Sequence, residues 1–77
     1  MNAERRTKLD EIHSKLLEAI GELEEVMEAE EEARENMPES LQGGERYEAS
    51  EEASCAMEEA RDEIESAADK ILELVEG

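Results

Sequence analysis

Seventy-seven residues carrying 25 acidic against 8 basic side chains leave this chain with a net charge of −17 near neutral pH. A surface of that sign repels nucleic acid and anionic lipid and attracts basic protein surfaces. A domain this short is marginally stable alone, and the single cysteine, Cys55, excludes an internal disulfide and a closed zinc site. A partner chain is then the expected source of extra stability, and a homodimer is the simplest form of it. No apolar run approaches the ~20 residues of a membrane span. Met1 to Lys8 is followed by no signal-peptide core, and an unpaired thiol fits a reducing compartment, so the expected location is the cytoplasm of a host cell.

The first predicted element is a helix over about residues 3–36, with Asn2 or Thr7 as its cap. Leu9, Leu16 and Leu23 repeat every seven residues, and Ile12, Ala19, Val26 and Ala33 follow each position of that register by three. Ile20 and Met27 flank this seam. At ~100° per residue, these side chains form one broad apolar stripe. Pro38 disfavours helical geometry at Met37, so the helix is expected to end near Asn36. Residues 37–44, with Pro38 and the Gly43-Gly44 pair, read as a connection between antiparallel neighbours.

A second helix is expected over 45–76. Met57, Ile64 and Ile71 form one heptad row, and Ala53, Ala60, Ala67 and Leu74 form the other. Ala49, Ala56, Ala68 and Val75 widen the stripe. Large leucines on one helix facing small alanines on the other suit interdigitated packing. No β pattern is present, so the fold class is all-α, a single antiparallel two-helix hairpin domain. Two helices sharing one seam leave Leu17, Ile20, Leu72 and Val75 as open apolar edges. Two hairpins pairing into a homodimeric four-helix bundle would cover them; a hairpin held only by a larger target is the alternative. The expected core and dimer contacts are Leu9, Ile12, Leu16, Ile20 and Leu23 with Met57, Ile64, Ile71 and Leu74.

Charge is distributed unevenly. Residues 1–17 carry a net +1, residues 18–39 a net −9, residues 45–69 a net −8 and residues 70–77 a net −1. In an antiparallel hairpin the two acidic segments lie side by side at the loop end. Helix electrostatics opposes this arrangement. Glu28, Glu30, Glu31, Glu32 and Glu35 crowd a helix C-terminus, and Arg5, Arg6 and Lys8 crowd an N-terminus, each against the dipole. A pattern that works against stability hints at function. The bland alternative is a solvated face built from good helix formers. An acidic rod suits the Lys- and Arg-lined grooves with which proteins hold DNA.

Candidate chemistry is sparse. Asp10-x-x-His13 is a fragment of di-iron bundle sites, which need a second copy and core-facing Glu residues. Glu24-Glu25-x-x-Glu28 and Glu59-x-x-Asp62 look like acidic magnesium clusters of helical nucleotide pyrophosphohydrolases. In the heptad register, however, Glu28 and Asp62 point away from the seam rather than into a shared cavity. Cys55 lacks a neighbouring base. No cofactor, metal or catalytic residue is expected, and the chain reads as non-enzymatic. The segment from Asn36 to Glu48 is the least monotonous. Tyr47, the only aromatic residue, and Arg46 belong to the residue types that anchor interfaces. Alternatively, Met37, Leu41 and Tyr47 plug the open end of the hairpin while Arg46 pairs with Glu35 or Glu39.

The run Asn36-Met37-Pro38-Glu39-Ser40-Leu41-Gln42-Gly43-Gly44-Glu45-Arg46-Tyr47-Glu48 resembles a pattern of short acidic proteins of bacterial phages and prophages. Those proteins also begin with a basic Arg-Arg segment, here Arg5-Arg6, and end in an Ala/Glu-rich helix. The resemblance implies a phage origin and no catalytic residues. It raises, by analogy, a counter-defence role of the anti-CRISPR or anti-restriction kind, in which several small acidic proteins mimic DNA. The expected activity is binding to a basic, nucleic-acid-binding surface of a host protein. Glu24, Glu25, Glu28, Glu31, Glu32 and Glu35 would make the contact on the first helix. Glu48, Glu51, Glu52, Glu58, Glu59 and Asp62 would make it on the second, with Arg46 and Tyr47 near the loop. The alternative is a structural coiled-coil module of a phage assembly, acting through its apolar seam.

Overall fold

A computed structural model describes residues 1–77 and contains two long helices and no strand. Helix α1 spans Ala3–Glu35. It begins where Asn2 Oδ1 accepts a hydrogen bond from the Arg5 amide at 2.9 Å, which satisfies one of the free first-turn donors. Thr7 is not the cap, because its hydroxyl donates back to the Ala3 carbonyl inside the helix at 3.0 Å. The helix ends at Asn36, two residues before Pro38.

The connection contains one 3-10 turn, Glu39–Leu41, closed by the Leu41 amide donating to the Pro38 carbonyl at 2.9 Å. Gly43 follows in the left-handed region at φ 91°, a conformation that costs residues with a Cβ about 1–2 kcal/mol. Gly44 then caps α2, which spans Glu45–Glu76. Both helix boundaries therefore fall where the capping and proline signals place them.

The two helices pack side by side along their length as a rod of 60 × 15 × 12 Å with a radius of gyration of 17.5 Å. A compact domain of this length has a radius near 11 Å. The exposed surface is 5898 Å², against roughly 4,700 Å² for a compact monomer of this mass. Only Ile20, Ala68 and Ser50 are buried. Two helices alone enclose a seam and no core. No helix is long and apolar enough to cross a membrane.

The seam is rotated from the expected register. On α1 the row Leu9, Leu16, Leu23 is half-buried as expected, and its partner row is His13, Ile20, Met27 and Arg34. The predicted partner row is split: Ile12 and Ala19 are half-buried toward the terminal end, whereas Ala33 is exposed and Val26 is 56% exposed. On α2 the row Ser50, Met57, Ile64 and Ile71 holds, and its partner row is Tyr47, Ser54, Arg61, Ala68 and Val75. Of the predicted second row only Ala60 is half-buried; Ala53, Ala67 and Leu74 are exposed, so Leu74 is no part of the hairpin's own core. Ile20, expected at an open edge, is the most buried large side chain, and Leu72 and Val75 are half-buried; Leu17 alone remains an open edge as expected. The physical cause is the width of the stripe. Apolar residues occupy three adjacent heptad positions on each helix, and a two-helix contact consumes two of them.

Candidate functional site

The antiparallel pairing sets acid beside acid. Arg34 Nη1 donates to the Ser50 carbonyl and hydroxyl, both at 3.1 Å, and to the Ser54 hydroxyl at 2.7 Å. This contact ties the last turn of α1 to the second and third turns of α2. It also gives Arg34, the only basic residue in that last turn, a position favoured by the helix dipole. Apolar spacing does not point to this strap, since Arg, Ser and Ser interrupt the apolar rows that mark a seam. Their signal is positional only: all three continue the heptad spacing of the seam rows.

The second seam arginine, Arg61, organises one broad face. Its Nη2 lies 3.3 Å from Asp62 and 3.8 Å from Glu58. Glu24, Glu28 and Glu31 of α1 line a shallow cleft with Met27 and Arg61. The hydrogen bond that Arg61 donates to Asp62 and the charges of Asp62, Glu65 and Glu24 hold the guanidinium above its ordinary pKa, against partial desolvation. Arg61 Nε is buried without a hydrogen-bond partner. Glu24, Glu28, Glu31, Glu58, Asp62 and Glu65 thus share one side of the hairpin.

Other acids named from the sequence occupy the outer backs. Glu25, Glu28, Glu31, Glu32 and Glu35 line a groove along α1, and Glu48, Glu51, Glu52 and Glu59 line one along α2 beside Cys55. All twelve candidate carboxylates are exposed. They do not form one face; they wrap around three sides of the rod. Opposite the Arg61 side, Ile12, Ala19, Val26 and Ala33 of α1 and Ala53, Ala60, Ala67 and Leu74 of α2 make up the remaining, apolar side.

At the loop end, Met37 and Tyr47 are half-buried, while Leu41 is 56% exposed. Gln42 Nε2 donates to the Met37 carbonyl at 3.3 Å. Arg46 is exposed and pairs with neither Glu35 nor Glu39. His13 lies half-buried in the seam row that Ile20 and Met27 continue. Glu28 and Asp62 point outward, and no three His, Cys, Asp or Glu side chains are placed to hold one metal ion.

The linear density of charge is the most informative quantity. Residues 18–39 and 45–69 together account for the whole net charge of −17, and the remaining residues sum to zero. In α1 the acidic stretch Glu18–Glu35 spans about 27 Å at ~1.5 Å per residue. In α2 the acidic stretch 45–69 spans about 36 Å, so with the turn the net charge falls within about 38 Å of rod, about one charge per 2.2 Å against one per ~1.7 Å of duplex DNA. No family model, no curated protein and no solved structure matches this chain.

Proposed function

We propose that this chain is a non-enzymatic acidic protein that binds a basic, nucleic-acid-binding surface of a host protein and blocks it, in the manner of a DNA mimic of the anti-CRISPR or anti-restriction type. The observation that carries the reading is that the whole net charge of −17 gathers on the loop-proximal part of the rod, at a linear density approaching that of duplex DNA. The contact residues are Glu24, Glu28 and Glu31 with Glu58 and Asp62 on the Arg61 side. Glu25, Glu32 and Glu35 act from one back, and Glu48, Glu51, Glu52 and Glu59 from the other. Arg46 and Tyr47 sit at the tip, where a groove that admits the rod would meet them first. The active form is a homodimer, which doubles the charge presented.

The test is capture of host proteins on the immobilised chain at about 0.1 M and about 1 M salt, where the screening length falls from about 10 Å to about 3 Å. A charge-steered partner elutes at the higher salt and is displaced by duplex DNA. Replacing Glu24, Glu28 and Glu31 by Gln lowers its affinity at least tenfold. Salt-insensitive capture, or a captured protein that holds this chain and DNA together, contradicts the blocking role.

A second reading, a structural coiled-coil module of a phage assembly, is favoured by the apolar side that the hairpin leaves open at Val26 and Leu74, 56% and 51% exposed. In that case the three Glu→Gln replacements leave binding intact, and Val26→Asp abolishes it.

A further inference from the structure

We propose that the open apolar side is covered by a second copy of this chain lying in the reverse direction, so that the loop end of each hairpin rests on the terminal end of the other. The proposal deepens the homodimer part of the reading above and is independent of what the dimer binds.

Three observations support a second copy in this orientation. The first is area. The rod presents a side of 60 by 15 Å, on which the apolar rows Ile12 to Ala33 and Ala53 to Leu74 run for about 32 Å at ~1.5 Å per residue; a footprint of this size leaves room for the ~800 Å² of accessible surface that each partner of a stable interface buries. Acids wrap the other three sides, so this is the one side on which a copy of the same charge can approach.

The second is side-chain size. The Arg34 contact to Ser50 and Ser54 sets the level of the two helices, placing Ile12 beside Leu74 at the terminal end and Ala33 beside Ala53 at the loop end. Both rows are then centred at nearly the same height, as a two-fold axis across the rod requires. Reversal lays α1 on α1 of the copy, with Ile12 over Ala33 and Ala19 over Val26. It lays α2 on α2 of the copy, with Leu74 over Ala53 at each end and Ala60 over Ala67 near the axis, where the two helices approach most closely. Each large side chain, Ile12, Val26 and Leu74, thus meets a small one, the arrangement that fills an interhelical layer. With loop ends together, α1 would instead lie on α2 of the copy, stacking Ile12 on Leu74 and leaving Ala33 on Ala53.

The third is charge. Lys8 and Lys15 follow the same edge of α1 as Ile12 and Ala19. Reversal brings these lysines, with Arg5 and Arg6 nearby, over the acidic loop end of the copy. Loop ends together would place two segments of −17 within one screening length, where like charges repel. Glu22 and Glu63 are the only acids on these two edges; they fall near the two-fold axis at the solvated rim.

The test is a spin-label distance measurement on the free, full-length chain, with Ser40→Cys labelled in a Cys55→Ser background. Ser40 and Cys55 are both exposed, so neither change disturbs the seam. The reversed dimer gives an intermolecular distance approaching the 60 Å length of the rod. A short distance, with the two loops side by side, overturns the orientation. The absence of any intermolecular coupling in the concentrated chain overturns the second copy as the occupant. Neither result bears on salt-sensitive capture of a host protein, so the two proposals fail separately.

Discussion

Arg34 illustrates what a single residue contributes in a molecule with almost no buried core. Its guanidinium reaches the Ser50 and Ser54 hydroxyls and the Ser50 carbonyl from a half-buried position. Hydrogen bonds to a charged donor are worth about 1.5–3 kcal/mol, less where solvent competes. Arg34→Ala is therefore expected to lower stability by about 1–2 kcal/mol, read from the midpoint of urea unfolding. An unchanged midpoint would show the contact to be dispensable. In the sequence, Arg34 stands among five glutamates and reads as one more solvated charge; only the approach of α2 reveals its acceptors.

At the scale of the element, the decisive matter is which edge of each apolar stripe turns inward. Ile20 is 7% exposed and Val26 is 56% exposed, although either is a plausible seam residue from spacing alone. Ile20→Ala is expected to cost about 2–4 kcal/mol, as for a buried aliphatic truncation. Val26→Ala is expected to cost within about 0.5 kcal/mol, as for a surface change. The measurement is thermal unfolding at dilution sufficient to keep the chain monomeric. Equal losses, or a larger loss at Val26, would refute the observed register. Helix limits were legible because their signals are local: Asn2 caps, Pro38 stops and Gly43 turns. The rotation was not, because hydrophobic periodicity measures the centre and width of a stripe, not the side on which a loop delivers its neighbour.

Over the whole molecule, charge and shape work against each other. The rod concentrates −17 at one end while burying three residues, and self-repulsion of this kind destabilises a compact state. Salt screens it. Raising salt from about 0.1 M to about 1 M is expected to stabilise the chain by about 1 kcal/mol, a rise in Tm of about 4–8 °C for a domain of this size, followed by circular dichroism. Binding to a basic partner weakens over the same range. Opposite responses of stability and binding to one variable distinguish a functional acid surface from a merely soluble one, for which only stability responds.

The sequence alone determined two helices, their ends, the connection between them and the accumulation of acid around it, since each follows from backbone propensity, caps and the order of charges along the chain. The tertiary structure decided the rest: that Arg34 and Arg61 lie in the seam, that the acids wrap three sides rather than one, and that Val26 and Leu74 stay open. Those outcomes depend on the relative rotation of the two helices. That rotation is set by loop geometry and close packing together, and the pattern of either helix by itself does not fix it.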